Sequence, residues 1–152
     1  MSKNSINALM LVASASIFFL HLPAAYAELG GAVSKEAVLI QGQSSVVATE
    51  PQLNIYQVKA TSGTLIKEYT NANNVVVAVS WQGPTLPNLK ELLGSNFDTF
   101  VNRPTTHATS HRSAELITDD LVVQSHGQMR NFAGRAYLPK LLPAGFSADQ
   151  IK

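Results

Sequence analysis

His107 and His111 stand four residues apart (HATSH), the spacing that sets two imidazoles on one face of a helix, as in zinc sites. Their surroundings oppose that chemistry. Pro104 and a run of Thr and Ser disfavour the helix that would align the rings, no third ligand stands nearby, and Arg112 adds a repelling charge. The segment reads as a solvated loop, and no metal site is assigned. Asp119, Asp120, His126 and Arg130 are the residue types of an acid–base hydrolase. Adjacent carboxylates on a strand point to opposite faces, however, so Asp119 and Asp120 cannot share one site directly. Two acidic residues leading into a strand more often make a turn or guard a sheet end. Ser45, Ser80 and Ser125 lack the G-x-S-x-G elbow of a nucleophilic serine, and no glycine-rich phosphate loop occurs. No catalytic and no cofactor-binding residue is assigned.

Two constellations suit binding rather than reaction. Trp81 with Tyr56, Tyr69 and Tyr137 could form a ligand shelf, although a Trp carried beside a helix start is more often core. Arg130 and Arg135 lie five apart on one expected strand, hence on opposite faces unless Gly134 introduces a bulge. With a bulge, the two guanidinium groups would meet as an anion site. Trp81, Arg130 and Arg135 are therefore the candidate ligand or partner contacts.

The elements that must position these residues lie downstream of a leader. Lys3 precedes a largely apolar run at 6–22, Pro23 ends it, and Ala25-Tyr26-Ala27 is a small-x-small cleavage signal. That is the layout of a secretory signal peptide over residues 1–27. Asn7, His21 and Pro23 interrupt the roughly 20 apolar residues that a retained anchor would need. Residues 28–152 are expected to form one small domain, with 28–52 a flexible N-terminal segment. The chain contains no cysteine, which excludes disulfides, thiolate metal sites and a lipidated N-terminal cysteine. Charged residues make up 14% of the 152, low against about 25% in typical domains, and the net charge is +1 before Lys3 is removed. Without a basic cluster there is no electrostatic footprint for nucleic acid. A near-neutral surface suits contact with an envelope or secreted protein.

Ser34 can cap a short helix at 35–41, and 43–51 reads as a loop. Residues 53–61, 64–70 and 75–82 alternate or run apolar as strands, joined by turns at Ser62-Gly63 and at 71–74 (NANN). The third strand is the most apolar and should be central. After Gly83-Pro84, a helix starts near Pro87, with Leu89, Leu92, Leu93, Phe97, Phe100 and Val101 on one face. Gly94 is a weak point in it, or else a division into two helices with Ser95 capping the second. Residues 102–114 read as an exposed loop and 116–125 as a strand. His126-Gly127 is then a hairpin turn, and 128–138 the return, where Gly134 marks a bulge or a close backbone approach. Ser147 can cap a final turn. The order β-β-β-α-β-β defines an α+β fold: a mostly antiparallel sheet with one main helix packed on one face.

Two stretches, EYTNANNVVVAVSWQGPTLPNLKELLGSNFDTF and DDLVVQSHGQMRNFAGRAYLPKLLPAG, together with the leader and Leu29-Gly30-Gly31, resemble a family of exported Gram-negative bacterial proteins, the domain-of-unknown-function family 2844. Its most distinctive words here are WQGP at 81–84 and F-x-G-R-A-Y-x-P at 132–139. The resemblance implies export and a small domain, and it carries over no activity, cofactor or site residue. The reading is of a protein exported to the periplasm, with the cell exterior as the alternative, acting as a non-catalytic binding or accessory module on an envelope or secreted partner. The alternatives are a small hydrolase built on Asp119 or Asp120 with His126 and Arg130, and a structural envelope component that self-associates.

Overall fold

The computed structural model describes residues 28–35, 37–41, 53–102 and 113–152. They build one seven-stranded sheet: β1 (Val38–Gln41), β2 (Asn54–Lys59), β3 (Leu65–Thr70), β4 (Val76–Gly83), β5 (Ser113–Ile117), β6 (Val122–Gln128) and β7 (Asn131–Tyr137). The order is β1-β2-β3-β4-β7-β6-β5, antiparallel throughout, with β4 in the middle as its apolar run requires. Between β4 and β5 lie helices α1 (Leu89–Leu93) and α2 (Phe97–Val101), joined by a 3-10 turn at Gly94–Asn96. The α+β class and the helical element between two antiparallel runs agree with the sequence reading, and two further strands complete the sheet.

Alternation divides the sheet into two faces. Val58, Ile66, Val76, Val79, Trp81, Val123 and Ala136 form one apolar cluster with Leu92, Leu93 and Phe100 of the helices and Leu29 of the N-terminal segment. The i, i+3, i+4 spacing of Leu89, Leu92 and Leu93 produces this; full burial of Leu92 and Leu93 stabilises by about 1.5–3 kcal/mol each. On the other face Tyr69, Ala78 and Leu53 pack with Ile151, Leu142 and Phe146 from the segment after β7, which crosses back as a strap.

Four local readings change. The helix expected at 35–41 is strand β1, with Val38 opposite Gln57; pairing with β2 supplies backbone partners that a weakly patterned helix of about two turns would lack. Ser34 does not cap. It donates through its amide (3.0 Å) and its hydroxyl (2.7 Å) to the carboxylate of Glu68, which is fully buried in β3. The uninterrupted helix breaks at Gly94, whose φ of 51° ends α1, and its start is capped by Asn88, whose side chain accepts from the Lys90 amide. Ser95 is not a side-chain cap; its N–H donates to Glu28 Oε1 (2.8 Å) while Leu29 N–H donates to Leu92 O (3.0 Å), so residues 28–29 satisfy the groups that the break orphans.

The fourth change matters most for the site. The single strand expected at 116–125 is two strands, β5 and β6, folded back at 118–121, where Thr118 Oγ1 donates to Leu121 O (2.8 Å) and accepts from Leu121 N–H (2.9 Å). Strand β6 runs on through His126-Gly127, and the hairpin turn sits at Met129-Arg130, both with positive φ (40° and 64°). A two-residue turn of that hand matches the twist of its strands even without glycine. Gly127 serves another need: a Cβ there would overlap the ring of Phe132, its cross-strand partner. The loops expected at 43–51 and over most of 102–114, with His107 and His111, lie outside the described residues, as does the leader at 1–27.

Candidate functional site

Register places Glu115 of β5 opposite Gln124 of β6, and Gln124 opposite Arg135 of β7. The three side chains lie on the strap face and touch in sequence. Arg135 Nε donates to Gln124 Oε1 (2.8 Å), and Gln124 Nε2 donates to Glu115 Oε1 (2.7 Å). Arg135 Nη1 also donates to the carbonyl of Ala148 in the strap (2.7 Å) and lies 3.8 Å from Asp149 Oδ1. Ser147 caps the 3-10 turn that presents that carbonyl, accepting from the Asp149 amide, as the sequence suggested. Farther along, the buried Tyr69 hydroxyl donates to Lys152 O (2.8 Å) and accepts from Lys152 N–H (2.9 Å). The strap is thus fastened at Arg135 and at Tyr69.

Beside it opens a cavity of about 590 Å³, lined by Gln82, Ser113, Glu115, Gln124, His126, Ala133 and Arg135 from the sheet and by Ile151 and Lys152 from the strap. Those sheet residues alternate onto one face; Trp81, Ala114, Ser125 and Gly134 between them complete the lining. Opposite charges, amides and the apolar side chains of Ala114, Ala133 and Ile151 converge here, the usual make-up of a small-ligand site.

The candidates from the sequence fall in different places. Arg135 lies at the centre of the cavity wall. Trp81 borders the cavity but is 2% exposed; it packs over Gly134 on β7, where a Cβ would overlap its ring and lie 2.5 Å from the Gln124 carbonyl. Gly134 is therefore the close approach and not a bulge, since the β4–β7 and β6–β7 registers run through it unbroken. Arg130 sits at the exposed tip of the β6–β7 turn, so the two guanidinium groups do not meet. Asp119 and Asp120 occupy the β5–β6 turn, at the far end of β6 from His126, about 20 Å away at strand rise. Asp120 pairs instead with Lys140 and holds its ammonium above the usual lysine range, through their hydrogen bond first and their attraction second. The four residues of the hydrolase reading do not converge. Among the described residues no three His, Asp or Glu side chains group as metal ligands, and no helix is long and apolar enough to cross a membrane.

Glu115 and Gln124 were not legible as site residues, because a single strand over 116–125 cannot bring them side by side. The signal was Thr118-Asp119-Asp120, three turn formers in a row that split the segment.

The two distinctive words of the sequence meet in this geometry, since Trp81 of WQGP stands opposite Gly134 of F-x-G-R-A-Y-x-P. A family described as "Protein of unknown function (DUF2844)" matches residues 25–151. The chain belongs to this family. No curated protein and no solved structure matches it. As a DUF2844 protein it carries the two words as packing. Gly83 lets Thr64 approach where a Cβ would strike it, Gly134 admits Trp81, Ala136 is fully buried, and Arg135 fastens the strap.

Proposed function

We propose that this DUF2844 protein is exported, loses its leader after Ala27, and serves in the periplasm as a non-catalytic binding module for an envelope or secreted component, engaged at the cavity beside the strap. The observation that carries the reading is the convergence of Glu115, Gln124 and Arg135 on one wall of a 590 Å³ space. That volume lies in the range of about 300–1,000 Å³ typical of small-ligand sites. Glu28, first after the expected cleavage point, is built into the fold through Ser95, and Leu29 behind it is buried, which suits a domain that starts there.

The test is a photo-reactive amino acid placed at Gln82, on the cavity rim, in the protein exported by a Gram-negative host. Capture of a specific envelope component from Gln82, and not from Asn73 in the exposed β3–β4 turn at the other end of the sheet, is expected. Equal capture from both positions, or none from Gln82, would overturn the reading. Intact mass of the periplasmic protein should correspond to a chain starting at Glu28.

A further inference from the structure

We infer that the cavity receives a small zwitterion, a free amino acid or short peptide, with its ammonium on Glu115 and its carboxylate on Arg135. This rests on the reading of the cavity as a binding site and adds the ligand class.

Glu115, Gln124 and Arg135 form one rung across β5, β6 and β7. Glu115 and Arg135 lie two strand spacings apart, about 10 Å between Cα atoms. Between them the Gln124 amide is held from both ends, its oxygen by Arg135 and its nitrogen by Glu115. Those bonds hold both charged groups on one rung without uniting them. An amide accepts with one end and donates with the other, so this orientation is the one the neighbours require. Glu115 keeps a second carboxylate oxygen, and Arg135 keeps its Nη2 hydrogens, without partners among the described residues.

Charge then selects the ligand. A simple anion at Arg135 would meet Glu115 across the rung and Asp149 beside Nη1. A simple cation at Glu115 would meet the guanidinium. A molecule with both signs a few bonds apart satisfies both groups and is repelled by neither. Shape agrees. Ala133 puts a small side chain on the floor, and a space of about 590 Å³ holds a few residues of peptide, the exposed end of an envelope or secreted component included. A sugar ring would want an accessible aromatic face to stack on, and the aromatic residue bordering the cavity is Trp81, which is buried.

The test is calorimetric titration of the protein purified from the periplasm. The probes are glycine, glycylglycine and trialanine, against N-acetyl-glycylglycine and glycylglycinamide, which each lack one charge. At least one free zwitterion should bind, and each blocked form should bind about tenfold more weakly, as expected for a lost hydrogen bond to a charged group. Glu115→Gln should weaken the free zwitterion by a similar factor while leaving the unfolding midpoint unchanged, since Glu115 is exposed. Binding of the blocked forms within about twofold of the free ones, undiminished binding by Glu115→Gln, or no binding of any free zwitterion would overturn the inference. Should the last result coincide with specific cross-linking from Gln82, the ligand class falls and the binding module stands. Should cross-linking fail as well, both fall.

Discussion

The two faces of this sheet are built from the same strands and do opposite things. The helix face is sealed: Leu92, Leu93, Phe100 and Leu29 cover Val58, Ile66, Val76, Val79 and Trp81, and its buried acidic side chain, Glu68, is held by two bonds from Ser34. Among the described residues the strap face is sealed over the β3–β4 half alone, by Leu142, Phe146 and Ile151. Over β5 to β7 it offers Glu115, Gln124, His126 and Arg135 to an open cavity. Stability and recognition are thus divided between faces. A protein without disulfides draws its stability from burial, and a polar recognition surface must be placed where it interrupts that burial least.

Substitutions on each face can break or sharpen that division. The largest loss should come from Leu93→Ala, about 2–5 kcal/mol in urea unfolding, because the residue is fully buried and the helices cannot collapse freely onto the void. Gly134→Ala should follow at about 3 kcal/mol, since the added methyl meets both the Trp81 ring and the Gln124 carbonyl and the latter is backbone. A shift in Trp81 fluorescence should accompany it, and an unchanged spectrum with full stability would contradict the packing described. Ser34→Ala removes the hydroxyl that donates to the Glu68 carboxylate and keeps the amide bond, for a loss of about 1.5–3 kcal/mol.

On the strap face the effects should be smaller and local. Tyr69→Phe keeps the buried ring but unfastens Lys152, at about 1 kcal/mol. Hydrogen exchange should quicken in residues 146–152 and not in α1 or α2. If it quickens throughout, the strap is not a separable element. Gln82→Lys, at the exposed rim, should stay within about 0.5 kcal/mol of the parent. A loss from Gln82→Lys as large as that from Leu93→Ala would erase the distinction between the faces.

Much of the helix face was legible in the chain. Six apolar residues at helical spacing after Gly83-Pro84 announce a helix that must cover something, and five of them do so while Val101 stays exposed; the apolar run of β4 announces a strand buried on both sides. The helix break was half visible: Gly94 marks the place, but only contact with Glu28 and Leu29 makes the break stable. The site was least legible. Gly127 looked like a turn because glycine usually makes one, yet the turn fell to Met129 and Arg130 and the glycine went under Phe132. With the hairpin turn placed three residues early and the turn reading of Asp119-Asp120 not used to divide 116–125, Glu115, Gln124 and Arg135 could not be lined up. A pairing of Arg135 with Arg130 needs a bulge that the unbroken register at Gly134 does not allow.

The residue types alone determined that this chain makes an antiparallel sheet under a helical cover, with β4 at its centre, because periodicity and turn formers act over a few residues. Which glycine turns and which makes room, where the strap crosses, and which three polar side chains meet on a rung were decided only in the folded structure. Each depends on partners far away in sequence, and a slip of one residue in register would send every one of those side chains to the other face.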